Sequence, residues 1–405
     1  MKKNNFRPLI YAAILLIVAV SCKVDELNKP SITNTTPPGV VSNVTVVNQN
    51  GKATLTYTIP KDADLSYVKA VYETKPGVIL EVKASYYTNT MVLGGYADTL
   101  SHIVKLYAVN TSETISAPIS VTVNPLTPAI KLAFRTLVIK PAFGGFSVVC
   151  QNPTKDNLSI IALVDTAGKG KYIQTIGMDN IYSSDLVIKK TTRSQPAIQR
   201  KYAFMVRDRW LNQTDTLFQD LTPIFEQSIL SISPTTFSDG AIPGDTPIKP
   251  GSGANLSKIW DNKAEGWPNL YFGDESAGAP TAITINLNKK HALSRFRIKP
   301  YKELGNAYFV RGNLKNFEVY GSNAPGSTGS FTDGTWTLLG SYTSIKPSGG
   351  PLGIETAQDL ASGDAGWDFD FPDGTGSYQW LRIRCTSNWQ GSYFMSISEF
   401  YLWGV

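Results

Sequence analysis

In the closing stretch Gln379 to Gly404, apolar and polar residues first alternate one by one, a period that suits a sheet with one buried face and no helix. Leu381, Ile383 and Cys385 alternate with Arg382 and Arg384, which assigns one set to a core and the other to solvent. Asn388-Trp389-Gln390-Gly391 interrupts with turn chemistry and a large ring that the alternation does not send inward. Ile397 to Trp403 then resumes as strand, with one carboxylate, Glu399, inside a mostly apolar run. The stretch reads as strand, exposed aromatic loop, strand. Similar short runs recur along the chain, rich in Val, Ile, Thr, Tyr and Phe and broken by many of its 33 Gly and 24 Pro. No long segment of helical period follows the first 22 residues. The chain is therefore expected to be all-β, and 405 residues call for two or three domains.

The net charge of +6 is modest for this length, and the Lys and Arg residues are scattered. A nucleic-acid binder concentrates them on one face, so no nucleic-acid partner is expected. The densest patches, Lys189-Lys190 with Arg193 and Arg200-Lys201, read as solvated strand faces. Cys150 and Cys385 fall in different modules in apolar surroundings, which predicts buried free thiols. With only His102 and His291 besides, a zinc site or a His-dependent triad is not expected.

Residues 1–22 read as a targeting signal. Lys2, Lys3 and Arg7 precede the apolar run Leu9 to Val20, which is too short for a membrane span and ends at Ala19-Val20-Ser21-Cys22. This is similar to a bacterial lipoprotein signal, in which the cysteine becomes lipidated, and it implies lipidation at Cys22. Lys23-Val24-Asp25-Glu26 resembles the surface-export signal of lipoproteins in Bacteroidota. Residues 23–38 are polar and contain Pro30, Pro37 and Pro38, a tether that reaches on the order of 3 Å per residue when extended. The expected location is the outer membrane, lipid-anchored and facing the cell exterior.

Residues 39–125 alternate through Val44-Thr-Val46, Ala53 to Ile59, Tyr67 to Tyr72, Ile103 to Asn110 and Ile119 to Val123, with a turn at Asn48-Gln-Asn-Gly51. This order resembles a fibronectin type III domain, seven strands in two sheets. Leu126-Thr-Pro128 reads as a hinge. Residues 126–226 repeat the architecture as a second Ig-like sandwich, with Tyr202 to Asp208 echoing the strand at Tyr107. In the loop that follows, Trp210 reads as an aromatic plug over one end of the sandwich. Neither module carries a nucleophile elbow, a phosphate loop or a metal motif. Both read as spacers or as surfaces for a protein partner.

Residues 227–405 begin with a Ser-, Pro-, Gly- and Asp-rich linker and then hold seven of the eight tryptophans. Asn255 to Asn262 with Trp267, Ala282 to Asn288, Ser294 to Ile298, Leu314 to Ser322, Gln379 to Ile383 and Ile397 to Gly404 follow in an order similar to the discoidin-type, galactose-binding-like domain of coagulation factors and many carbohydrate-binding modules. The whole layout resembles glycan-binding surface lipoproteins of Bacteroidota polysaccharide-utilisation systems. The resemblance implies a structural Ca²⁺ at the early Asp and the late Glu, here Asp261 and Glu399, although Asn262 stands where Gly is usual. Glu399 alternatively accepts backbone N–H groups of its own loop.

In that family the ligand lies on loops at one end of the sandwich. Sugars there stack on a ring and are bridged through their hydroxyls. The matching candidates are Trp267, Tyr301, Tyr308, Arg311, Asn388 and Trp389, while Trp380, Trp403 and Phe317 read as core. The expected function is non-catalytic: capture of polysaccharide or oligosaccharide at the cell surface, in company with an outer-membrane transporter complex. The alternative is a structural or adhesive lipoprotein whose C-terminal domain binds a protein. Glycosidase chemistry needs two facing carboxylates, and Asp364, Asp368, Asp370 and Asp373 read instead as solvated turns of a Gly-rich loop.

Overall fold

The structure, a computed structural model, describes residues 34–229, 237–263 and 266–405. The signal segment, Cys22 and most of the tether lie outside the described residues. The chain is all-β, arranged as three sandwich modules. Among the described residues no helix is long and apolar enough to cross a membrane.

The first module comprises β1 (Ser42–Gln49), β2 (Lys52–Thr58), β3 (Leu65–Lys75), β4 (Val78–Ser85), β5 (Thr90–Gly94), β6 (His102–Asn110) and β7 (Ile119–Val123). They form the sheets β1-β2-β5 and β4-β3-β6-β7. Alternation drives the packing: Ala53, Leu55 and Tyr57 of β2 face Val68, Ala70 and Tyr72 of β3 across the core. The turn before β2 uses Gly51 at φ 63°, and its amide donates to the Leu126 carbonyl at 3.0 Å.

Pro128, expected within a hinge, instead precedes a short helix, α1 (Ala129–Arg135), which buries Ile130 and Ala133 in the second module. Then follow β8 (Val138–Ala142), β9 (Gly145–Gln151), β10 (Leu158–Asp165), β11 (Ile181–Ser183), β12 (Val187–Thr191), β13 (Arg200–Asp208) and β14 (Leu217–Leu221). Their sheets are β12-β9-β8 and β11-β10-β13-β14, so moving every strand of the first module on by seven generates the second. The strands at Tyr107 and Tyr202 occupy equivalent places. Trp210 is a plug between modules rather than over its own: its ring seats on Gly94 and Gly95, where a Cβ on Gly94 would lie 2.5 Å away. Asn212 reinforces the junction, its Nδ2 donating to the Gly95 carbonyl at 2.9 Å.

The third module contains β15 (Gln227–Ser228), β16 (Ser238–Asp239), a 3-10 turn at Leu256–Trp260, β17 (Tyr271–Phe272), β18 (Thr281–Lys299), β19 (Leu314–Ser322), β20 (Thr337–Thr343), α2 (Ala357–Ala365), β21 (Trp367–Asp370), β22 (Ser377–Asn388), β23 (Ser396–Ile397) and β24 (Glu399–Gly404). The order β15-β24-β18-β22-β19-β20 turns a corner within β18. Its first half pairs with β22 and its second with β24 and β21, the register breaking between Asn286 and His291. Two segments that read separately in the sequence are thus one bent strand. Phe296 is the hub of the core, with the rings of Tyr342, Phe369, Phe371 and Phe400 centred within 5.8 Å of its own.

Arg382 overturns the simple alternation. Although it faces away from that core it is 1 % exposed, because the segment assigned to a linker folds over it. Its Nη2 lies 2.9 Å from Asp245 Oδ1, and its guanidinium stands 4.3 Å from the Phe331 ring. Trp380 and Trp403, expected in the core, are half-buried on the outer faces; the Arg295 guanidinium covers the Trp403 ring at 3.9 Å. Phe317 is core as expected. Cys150 and Cys385 are free and buried, and burial pushes their thiols up to about 11 and about 12.

Modules two and three are clamped by Arg193. Nη1 donates to the Phe143 carbonyl (2.7 Å), Glu226 Oε1 (3.0 Å) and Ser294 Oγ (3.1 Å), and Nη2 to Asp370 Oδ1 (2.7 Å). Glu226 also receives Arg295, so one carboxylate just before β15 gathers a cation from each side.

Candidate functional site

Four chain segments meet at one end of the third module: the loops 266–276, 300–313 and 389–395, and the region from 344 through α2. Two buried asparagines staple them. Asn313 Nδ2 donates to the carbonyls of Tyr301 and Tyr308, both at 2.7 Å, and its Oδ1 accepts from the Tyr301 amide at 2.8 Å and Ser396 Oγ at 3.1 Å. Asn388 Oδ1 accepts from the amides of Gln390 (3.0 Å) and Ser392 (2.9 Å), while its Nδ2 donates to Ser392 Oγ and the Phe394 carbonyl. The expectation that Asn388 meets a ligand is therefore corrected. Its amide is fully engaged by its own loop.

Trp389 and Tyr308 are corrected for the same physical reason. Trp389 is 8 % exposed, with its Nε1 donating to Ser344 Oγ at 2.9 Å and its ring edge-on to Phe309 at 5.1 Å. Tyr308 is buried beside it, pressed on Gly363 of α2 so closely that a Cβ there would lie 2.1 Å from the ring. Its amide and that of Phe309 donate to Glu355 Oε1 at 2.7 and 2.6 Å, and its hydroxyl bonds Asp364. Neither ring offers a free face to a pyranose.

Sequence reasoning missed α2, although Thr356-x-x-Asp359 has the spacing of a helix start. A capping box forms it: the Thr356 hydroxyl accepts from the Asp359 amide, and Asp359 Oδ2 accepts from the Thr356 amide at 2.9 Å. The carboxylates assigned to solvated turns are all engaged. Asp364 bonds Tyr308 and Lys302, Asp368 holds Arg297 through two bonds of 2.8 Å, Asp370 meets Arg193, and Asp373 lies 3.4 Å from Lys189.

The open part of this end is built by Trp267, Tyr301 and Arg311. Trp267, joined to Pro268 by a cis peptide, is 49 % exposed. Its ring stands edge-on to Phe272 at 5.6 Å and tilted to Tyr301 at 6.5 Å. Arg311, at φ 46°, sets its guanidinium 5.6 Å from the same Phe272 ring and ion-pairs with Glu303 (3.1 Å) and Glu275. Lys249 completes the set on Glu275. That hydrogen bond first, and Arg311 next, hold the Glu275 carboxyl below its ordinary range. Burial pushes Glu303 up against the pull of Arg311, and its Oε1 has no hydrogen-bond partner among the described residues. Burial likewise raises the Tyr301 phenol.

Sequence reasoning missed Glu275, Glu303 and Lys249, since a charged residue in a loop carries no period to place it. Glu303 and Glu275 had one visible signal, proximity in sequence to Tyr301 and Trp267, and Lys249 had none.

Asp261 ends the 3-10 turn, its Oδ1 accepting from the Lys263 amide at 3.0 Å with the Lys263 ammonium 3.8 Å from Oδ2. Glu399 opens β24 opposite Lys299 and is buried. Among the described residues no three His, Cys, Asp or Glu side chains gather as a metal donor set. A cation at Asp261 and Glu399 would draw on main-chain carbonyls.

Three family models match the chain, each described as a domain of unknown function: residues 38–125 (DUF4959), 126–231 (DUF5126) and 260–404 (DUF5000). No curated protein matches it. Among solved structures the chain is similar to a SusE-like protein, with 24 % identity and a TM-score of 0.45 over 69 % of this chain and 99 % of that one. It is also similar to a putative chitobiase fragment from Bacteroides thetaiotaomicron (17 %, TM-score 0.29, 42 % of this chain and 90 % of that one). A third is the family 32 carbohydrate-binding module from Streptococcus pneumoniae EndoD (14 %, TM-score 0.28, 44 % and 98 %).

Proposed function

We propose that this chain is a non-catalytic, lipid-anchored glycan-binding protein of the outer-membrane surface, which captures polysaccharide or oligosaccharide for a transporter complex and its glycosidases. One observation carries the reading. At the loop end of the third module an open tryptophan ring, Trp267, lies beside Tyr301 and a braced guanidinium–carboxylate set, Arg311 with Glu275 and Glu303.

A pyranose presents an apolar C–H face and a rim of hydroxyls. The Trp267 ring suits the face, and Arg311, Glu275 and Tyr301 suit the rim as donors and acceptors. Because the charged groups brace one another, a sugar meets them with little ordering left to do.

Affinity electrophoresis of the full chain through gels containing polysaccharides tests the reading. Retardation on at least one glycan is expected, with Trp267→Ala weakening it by about tenfold or more, the scale of a Trp anchor. Retardation indifferent to Trp267 removes this site, and no retardation on any glycan favours the adhesive alternative, in which the same end binds a protein. Lipidation is tested by acyl labelling of the expressed chain, which Cys22→Ala should abolish. Ca²⁺ enters only as a structural ion at Asp261 and Glu399; equal Tm values with Ca²⁺ and with a chelator remove it.

A further inference from the structure

A second surface, on the middle module, has a different chemistry. In the sheet β11-β10-β13-β14 the register sets Tyr182, Ser159 and Arg207 side by side in one cross-strand row. Ser159 is small, so the row is a notch between a phenol ring and a guanidinium. Tyr182 is 71 % exposed. Just past β13, Arg209 stacks its guanidinium 4.3 Å from the Trp210 ring, and Leu211 stands exposed with its backbone at φ 62°. These residues enclose a groove of about 470 Å³, within the range of small-ligand sites.

Its charge sets it apart among the cavities, for of the four arginines with no ion pair among the described residues, Arg135, Arg200, Arg207 and Arg209, the last two line it together. Arg193, Arg295, Arg297, Arg311, Arg382 and Arg384 all pair with carboxylates. Arg207 and Arg209 form no ion pair among the described residues. The single carboxylate in the groove lining, Asp208, is already engaged: Oδ1 accepts from the amides of Trp210 and Asn212, and Oδ2 from Asn212 Nδ2, all at 2.9 Å. Two guanidiniums therefore face one groove against a single carboxylate whose oxygens are already taken up by neutral N–H donors, which leaves the groove net positive. Arg209 is held in place, because the Trp210 ring beneath it is seated on Gly94 and Gly95. The Tyr182 phenol accepts from Asn180 Nδ2 at 3.2 Å, and that bond first, with the Arg207 charge after it, holds the phenol below the ordinary tyrosine range.

We propose that this groove binds an anionic sugar residue of a polysaccharide, with the Tyr182 ring against the sugar face and Arg207 and Arg209 on its carboxylate or sulfate. A planar guanidinium fork matches either anion through paired N–H bonds, and an exposed aromatic ring supplies the apolar contact. The site lies on a different module from Trp267, and the choice of a polysaccharide as its ligand rests on the glycan-binding function proposed above.

The test is titration calorimetry of the full chain at physiological salt with polygalacturonate, dextran sulfate, a neutral dextran and polyglutamate. Binding of polygalacturonate or dextran sulfate, with neither dextran nor polyglutamate bound comparably, is the expected result; which of the two binds tells carboxylate from sulfate. Arg207→Gln with Arg209→Gln, and separately Tyr182→Ala, should weaken it at least tenfold at unchanged Tm. The charge-conserving Arg207→Lys with Arg209→Lys should still weaken it severalfold, and Trp267→Ala should leave it unchanged. Equal binding of polyglutamate would show that the net charge of +6 alone is at work. That result, no binding of either anionic glycan, or full affinity in the glutamine variant overturns the proposal.

Discussion

Trp389→Ala separates a ring that presents itself from a ring that holds the fold. The side chain is 8 % exposed, touches Phe309 edge-on and donates to Ser344 Oγ, so its removal opens a cavity among groups anchored from several directions. Ser344 Oγ keeps its bond to the Leu314 carbonyl at 2.6 Å, so no buried hydroxyl is stranded and the cost is mainly that of the cavity. Truncation of a buried Trp to Ala costs about 3–5 kcal/mol. For a module of this size that lowers Tm by roughly 10 °C. Seven of the eight tryptophans lie in the third module, so intrinsic fluorescence during a thermal or urea scan reports mainly on its transition. This matters because a chain of several modules need not unfold in one step. Trp267→Ala, removing a half-exposed ring, is expected to shift the same transition by less than about 1 kcal/mol. Wild-type stability in Trp389→Ala, together with lost glycan retardation, would place the ring at the surface and refute the reasoning.

Arg193→Met removes four hydrogen bonds at the junction of modules two and three and leaves Glu226 with Arg295 and the Ser294 hydroxyl, both of the third module. A loss of about 2 kcal/mol in the third module's transition and faster protease cleavage near residue 226 are expected, read by urea titration and limited proteolysis. Phe296→Ala should cost the third module about 4 kcal/mol while the transition of the first two modules stays in place. Acid should weaken the third module through two groups. Burial first, and Lys289 nearby, hold His291 below its ordinary 6.5, so the folded state resists its protonation and stability falls as pH drops below that value. Burial alone would raise Asp359, but the Thr356 and Ser348 amides hold it well below the usual range, so its contribution is present at neutral pH and fades below about pH 4. His291→Gln should flatten the first part of the pH profile and Asp359→Asn the second, measured as Tm from pH 8 to pH 3.

Period-2 alternation made the strands legible, because a side chain on a strand has only two directions to choose between. Leu381, Ile383 and Cys385 face the core as that rule requires. The repeat of the first two modules was visible only through the strands at Tyr107 and Tyr202, yet their sheets share one topology. The rule fails at Arg382, since a residue on the outer face is solvated only if nothing returns to cover it, and residues 239–245 do return. It is silent in loops. Trp389 and Trp267 both sit beside turn residues, and what buries one and exposes the other comes from far along the chain: Ser344 and Phe309 for the first, and only the edge of Phe272 and Tyr301 for the second.

The same loops show why a binding end and a stable end need not be different places. Asn388 is placed where a ligand-reading amide was expected, and it and Asn313 are both taken up in tying loops together. That expenditure fixes the position of everything at the rim: Asn313 holds the backbone of Tyr301, and Ser396, which it also engages, pairs in register with Phe272, against whose ring Trp267 stands. A loop surface that must hold a ring and a guanidinium still for a weak, hydroxyl-rich ligand needs such ties, since each unfixed side chain costs about 0.5–1.5 kcal/mol on binding. Asn313→Ala should therefore weaken glycan retardation without removing any group that touches the sugar, and unchanged retardation in a folded Asn313→Ala chain would refute it.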